Sequence, residues 1–243
     1  MGGSLFISDL HLSGERPDTV QLFLTFLTQR APRAETLYIL GDLFDVWIGD
    51  DLDVPPIPQI KAALHGLSER GTAIRLMGGN RDFLLGERFC AESGCELLPD
   101  PSLIELQGVP TLLMHGDSLC TDDLDYQAFS AQIRAPAFIE HFLSQSIPQR
   151  IAIVTEFRAK SGEATSMKAE DIMDVNQQAV AACLREYNTR CLIHGHTHRP
   201  ALHQFELDGQ QARRYVLGDW HPDGAKILSV DQQGWRQETF SNG

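Results

Sequence analysis

No stretch of the chain approaches the ~20 consecutive apolar residues of a bilayer-spanning helix. The opening segment, Met1 to Leu12, has neither the basic start nor the long apolar core of a secretory leader, so a cytoplasmic location is expected. Cysteine is sparse. Cys90, Cys95, Cys120, Cys183 and Cys191 are odd in number and include no CxxC pair, which weighs against a zinc ribbon or a disulfide framework and for reduced, structural thiols. Positive charge is scarce as well: 20 Lys and Arg stand against 33 Asp and Glu, for a formal charge of −13. A general nucleic-acid binder needs a basic stripe along the phosphate backbone, so no nucleic-acid partner is expected. Internal repeats, low-complexity tracts and Pro/Gly-rich linkers are also missing, and a single domain over residues 1–243 is the expectation.

What is present is a repeated arrangement of apolar run and polar cluster. Leu5-Phe6-Ile7-Ser8 leads into Asp9-Leu10-His11, Thr36 to Leu40 into Gly41-Asp42, and Ala73 to Met77 into Gly78-Gly79-Asn80. Thr111 to Met114 leads into His115-Gly116-Asp117, and Cys191 to Ile193 into His194-Gly195-His196. Short aliphatic runs bounded by Gly are the pattern of buried strands. Helical spacing appears between them, with Val20, Phe23, Leu24 and Leu27 in 18–30 and Ile57, Ile60, Leu64 and Leu67 in 57–70. In layered α/β folds ligand sites gather at the carboxyl ends of strands, so five separate segments can converge on one site.

The residue types at those ends suit metal binding. Asp9 and His11, two apart in an extended segment, point the same way. Asp42 can bridge two cations, Asn80 offers a neutral oxygen, and His115, His196 and His198 supply nitrogens. This mixed set suits Mn²⁺, Fe²⁺ or Zn²⁺ better than Ca²⁺ or Mg²⁺. Singly, an Asp after a strand is commonly a turn residue and a His a hydrogen-bonded structural one; the ordered combination carries the inference.

That order, D-x-H, G-D, G-N, H-G-D and G-H-x-H, resembles the calcineurin-like metallophosphoesterase family from residue 4 to about 220. The resemblance implies an α/β, four-layer αββα sandwich with a dinuclear centre. It assigns Asp9, His11, Asp42 and His198 to one metal, and Asp42, Asn80, His115 and His196 to the other, with Asp42 bridging. Where that family usually has Gly-Asn-His, this chain reads Gly79-Asn80-Arg81-Asp82. An arginine cannot donate a proton at ordinary pH but can hold phosphate oxygens bidentately. A leaving phosphate needs little acid help, so Arg81 fits cleavage of a pyrophosphate.

Within the family, the segments Tyr38 to Asp45, Trp47 to Asp51, Gly79 to Leu84, Met114 to Asp122 and Ile193 to Pro200 resemble the branch that hydrolyses UDP-2,3-diacylglucosamine in lipid A biosynthesis. That resemblance implies two Mn²⁺ per chain and attack of a metal-bridging hydroxide on the α-phosphorus, with Asp42, Arg81 and His196 catalytic. Substrate contacts would come from Asn80, Arg81, Asp123, Arg158, Ser161, Thr165, Lys168 and His196. A lipid-linked nucleotide sugar further implies peripheral attachment to the inner face of the cell inner membrane, with no obligate protein partner. Asp123 also reads as a turn residue and Ser161 as a helix cap.

Residues of about 123–170 read as a helical insertion, a lid, broken by Pro136 and Pro148. From Tyr126 to Lys168 five basic residues (Arg134, Arg150, Arg158, Lys160, Lys168) meet three acidic ones (Glu140, Glu156, Glu163), a local surplus suited to phosphate or anionic headgroups. Phe138, Ile139, Phe142, Leu143 and Ile147 form an apolar stripe that either packs the lid, or takes acyl chains or a membrane. Two other readings remain open: a family member acting on a soluble nucleotide or phosphodiester, and a non-catalytic scaffold.

Overall fold

The computed structural model describes residues 3–166 and 174–241, the side chains of 160–166 excepted. The first half alternates β1 (Gly3–Ile7), α1 (Pro17–Gln29), β2 (Ala34–Leu40), α2 (Ile57–Glu69), β3 (Ala73–Met77), α3 (Glu87–Ser93) and β4 (Cys95–Leu98). A hairpin of β5 (Ser102–Leu106) and β6 (Val109–Met114) follows. Then come α4 (Leu124–Ile133), α5 (Pro136–Leu143), α6 (Ile147–Ser166), α7 (Gln177–Glu186) and β7 (Cys191–His194). The chain closes with β8 (Ala201–Leu207), β9 (Gln210–Val216), β10 (Trp220–His221), β11 (Gly224–Asp231) and β12 (Gly234–Phe240).

These strands form two sheets, ordered β10-β11-β1-β2-β3-β4 with β12 on β11, and β5-β6-β7-β9-β8. β1 to β4 are mutually parallel, as are β6, β7 and β9. Side-chain alternation along each strand sends residues to two cores. Leu5, Ile7, Leu37 and Ile39 join Phe23, Phe26, Ile60 and Leu64 beneath α1 and α2. Phe6, Leu40 and Met77 face the other way and meet Leu113, Ile193 and Tyr215 of the second sheet. α7 covers the far side of that sheet through Val180 and Leu184, against Leu112 and Leu192. The result is the four-layer αββα sandwich.

Three features mark the second half of the chain. Asn176 begins α7, its side chain accepting the amides of Gln178 and Ala179. Pro136 divides the insertion by starting α5, since proline at the first helical turn forfeits no hydrogen bond. Finally, the C-terminal strands divide between the two sheets. β8 and β9 finish the second sheet while β10 to β12 return to the first. In that return Trp220 packs edge-on to Phe23 and Phe26 at 5.7 and 5.4 Å, each such pair contributing about 0.5–1.5 kcal/mol. The same residue's amide donates to Asp9 O at 3.2 Å, so this packing bears on the first polar cluster.

Candidate active site

Asp9, His11, Asp42, Asn80, His115, His196 and His198 all lie just beyond β1, β2, β3, β6 and β7, at one edge of the sandwich, and their side chains form two adjoining groups. In the first, His198 Nε2 is 3.2 Å from His11 Nε2 and 3.4 Å from Asp9 Oδ1. In the second, Asn80 Oδ1 sits between His115 Nε2 at 2.9 Å and His196 Nδ1 at 3.0 Å. Asp42 spans both, with Oδ2 3.9 Å from His11 Nε2 and Oδ1 3.7 Å from His115 Nε2.

The backbone is bent to achieve this. Asp9, His11, Asp42, His196 and His198 have φ of 57°, 48°, 53°, 70° and 55°, a left-handed region that costs a non-Gly residue on the order of 1–3 kcal/mol. Neighbouring groups hold them there. Buried Asp82 accepts the amides of Gly79, Asp42 and Phe44 at 2.8, 3.1 and 3.1 Å, tying the β2 and β3 loops together. Arg16 donates to Leu10 O at 3.2 Å and Trp220 O at 2.5 Å. At Gly79 a Cβ would collide with Asp42 Oδ1, which explains that glycine.

The donor set fits divalent cations. Asp9 Oδ1 is fully buried without a hydrogen-bond partner, an orphan carboxylate oxygen aimed at His198. His115 Nδ1 lies 2.9 Å from Leu40 O and therefore carries the proton, leaving its Nε2 lone pair to face the site, as a ligand requires. Burial drives the His11 and His196 imidazoles down to about 4, the neutral form that binds metal. Burial would also lower His115, but Asp42, Asp117 and Asp9 outweigh it and hold it at about 9, so a cation binding at Nε2 must displace a proton there. The Asp42 carboxyl is pushed up by burial despite His115. Burial would raise the Asp9 carboxyl too, but His198 and His115 outweigh it and hold it down to about 2, so it is the raised Asp42 carboxyl that a bound cation would most favour in its charged form.

Beside the two groups opens a cavity of about 450 Å³ walled by α4, α5 and α6 on one side and the strand-end loops on the other. Of the expected substrate contacts, Asn80, Arg81, Asp123, Arg158 and His196 all line it. Asp123 also caps α4, accepting from Tyr126 N at 3.0 Å. Arg158 donates to Asp45 Oδ2 at 2.8 Å. The side chains of Ser161 and Thr165, on α6, and Lys168 lie outside the described residues. Deeper in, the wall is apolar: Trp47, Phe83, Phe129, Phe138, Phe142 and Phe157 line the cavity, with Phe129 edge-on to Phe157 at 5.2 Å. The Phe138 and Phe142 stripe thus faces the cavity, and Phe142 is only 3% exposed.

Several working residues carry no sequence signal of their own. Tyr126 lies 6.1 Å from the His196 ring and donates to Asp117 Oδ2 at 2.7 Å, where Arg134 also donates at 2.7 Å. Asp117 was visible only as the third letter of H-G-D. Asp219 Oδ2, 3.5 Å from His198 Nδ1 and 2.8 Å from His221 Nε2, had no motif at all. Asp50 is structural, accepting from Trp47 Nε1 and the amides of Gly86 and Phe89.

Comparison with known proteins agrees with this geometry. A family model described as calcineurin-like phosphoesterase matches residues 4–200. A protein of Stutzerimonas stutzeri strain A1501 named UDP-2,3-diacylglucosamine hydrolase is 51% identical, covering 98% of each chain. Proteins of the same name from Pseudomonas aeruginosa (50% identical, covering 97% of this chain and 98% of the relative) and Stenotrophomonas maltophilia K279a (46%, 98% of each) are similarly close. With a family model matching residues 4–200, from β1 through β7, the chain belongs to the calcineurin-like phosphoesterase family.

Proposed function

We propose that this chain is a two-metal, Mn²⁺-using pyrophosphohydrolase that converts UDP-2,3-diacylglucosamine to UMP and 2,3-diacylglucosamine 1-phosphate in lipid A biosynthesis. The observation that carries the reading is one cavity with two chemistries: convergent acid, amide and imidazole groups at its mouth and an aromatic wall behind them. A lipid-linked nucleotide sugar has the matching halves. The naming of relatives at about half identity over nearly the full length supports the same substrate.

In this reading Asp9, His11, Asp42 and His198 hold one ion and Asp42, Asn80, His115 and His196 the other. When bound, the ions supply Lewis acidity and water ionised at neutral pH. The chain's own groups do the rest. Arg81, exposed at the cavity mouth, clamps pyrophosphate oxygens bidentately and offsets the charge that builds as the bond to the α-phosphorus breaks. Asp123 and Arg158 hold the sugar and phosphate, joined by Ser161, Thr165 and Lys168, and the aromatic wall takes the acyl chains. The leaving sugar phosphate is a weak base, which is why an arginine suffices where an alkoxide would demand an acid.

Such a substrate resides in a bilayer, so the protein works as a peripheral visitor to the inner face of the cell inner membrane. Among the described residues no helix is long and apolar enough to cross one.

The test is incubation with UDP-2,3-diacylglucosamine and Mn²⁺ in ¹⁸O-water, with and without chelator, and mass spectrometry of the products. Chelator-sensitive release of labelled UMP is expected. Label in the sugar phosphate would move attack to the β-phosphorus, and cleavage of a generic phosphodiester alone would overturn the substrate.

A further inference from the structure

His194 precedes the loop that carries His196 and His198, and it is completely buried. Its Nδ1 lies 2.8 Å from Gly195 O, a group that can only accept, so Nδ1 bears the proton. Its Nε2 lies 3.1 Å from Arg214 Nη1, a group that can only donate, so Nε2 accepts. The ring is therefore a single tautomer in a single orientation.

The peptide it touches is the junction of the metal-ligand loops. Gly195 N–H donates to His115 O at 2.8 Å, and Gly195 O also receives Thr197 N–H at 2.9 Å. One residue on, His196 N–H donates to Asp9 Oδ2 at 2.9 Å. A Cβ at Gly195 would collide with Ser8 Oγ and Asp9 Oδ2, so there is no slack here. A shift of this one peptide would move His115, His196 and Asp9 together.

Arg214, on β9, is an unusual residue for its place. It is 6% exposed, and no carboxylate among the described residues pairs with it; its Nε has no hydrogen-bond partner. Burying a guanidinium on a neutral imidazole is unfavourable compared with an aliphatic side chain of similar volume. Ala212, two residues earlier on the same face, is apolar and packed, so the position does not need charge to join the core.

We propose that Arg214 and His194 are positioning residues for the metal centre. Arg214 fixes the His194 tautomer, and His194 fixes the Gly195 carbonyl from which the His196–His198 loop is hung. This rests on the reading of the strand-end groups as a metal site. Neither residue touches a ligand ion or substrate; both act through the Gly195 peptide, as outer groups commonly orient metal ligands.

Two measurements on the full chain decide it. Long-range ¹H–¹⁵N spectroscopy of the chelator-treated wild-type protein should show His194 protonated at Nδ1 and bare at Nε2; the opposite tautomer overturns the proposal. Calorimetric titration with Mn²⁺ should show Arg214→Met binding about 10–100-fold more weakly than wild type, at an apo unfolding temperature no lower than wild type. Arg214→Lys, which still donates one hydrogen bond to Nε2, should recover part of the loss. If Arg214→Met binds both ions as tightly as wild type, the positioning role is wrong and the metal site stands. If wild type binds no divalent ion, the metal reading falls and this proposal with it. Should Arg214→Met fail to fold, the tautomer and the Arg214→Lys titration still decide.

Discussion

The cavity is bounded by two regions held in different ways. On the strand-end side Asp9, Asp42 and His115 are fully or almost fully buried, set by backbone amides and by carbonyls of loops that cannot move independently. On the insertion side the anchors are side-chain ion pairs: Arg150 on α6 grips Asp51 and Ile48 O, Arg158 grips Asp45, and Arg134 and Tyr126 grip Asp117. The first arrangement ties polar groups to main chain that is itself held in two sheets. The second joins three helices to the strand-end loops through long side chains. Precision comes from main chain packed between two sheets, accommodation from long side chains at the periphery.

Mutation can sharpen this contrast. The largest effect should come from Asp42→Ala, which removes the carboxylate whose two oxygens face His11 and His115. Loss of metal stabilisation worth several kcal/mol, at 1.36 kcal/mol per tenfold, corresponds to a fall in kcat on the order of 10³-fold or more, with lowered metal content by elemental analysis. Next, Arg81→Lys keeps the charge but not the fork. We expect kcat down by about 10²-fold with metal content unchanged; wild-type kcat would break the pyrophosphate-clamp role.

On the insertion side the effects should appear in stability and KM. Asp117 joins the two regions. Burial would raise its carboxyl, but His115, Arg134 and His196 outweigh it and hold it below the ordinary carboxylate range. A depressed folded value stabilises the fold fully above an unfolded pKa of about 3.9 and loses that contribution as pH falls toward the folded value. In chelator, Asp117→Asn should therefore destabilise the protein by roughly 1–3 kcal/mol at pH 7, with the gap to wild type narrowing as pH falls below about 4 in urea titrations. The smallest change should be Arg150→Met. Its side chain is 4% exposed but that of Asp51 is 49% exposed, so the pair is screened. About 1 kcal/mol of stability and a rise in KM without a fall in kcat are expected; an equal fall in kcat would mean that the insertion also places reacting groups.

The strand-end half was largely legible in the amino-acid order, because a buried strand and the polar residue at its end are neighbours in the chain. Asp9, Asp42, Asn80, His115 and His196 could each be picked out by that local sign. Asp82, Arg16, Asp219 and Arg214 could not. Each has a decisive partner distant in sequence: Asp82 serves Asp42 across 40 positions, Arg16 serves Trp220 across 204 and Arg214 serves His194 across 20. The Phe138 and Phe142 stripe was recognisable as apolar, but its direction depended on how α5 docks, and docking turned it into the cavity.

By itself the amino-acid order determined the strand-and-ligand repeats, the substitution of Arg81 for a histidine and the surplus of basic residues in the insertion. These are local properties, settled by which side chains follow which. Only the tertiary structure decided that β8 and β9 complete one sheet while β10 to β12 complete the other, that Asp42 faces both ligand groups, and that Arg214 reaches His194. Each of those depends on which surfaces pack against one another, and close packing between sheets is a property of the whole chain.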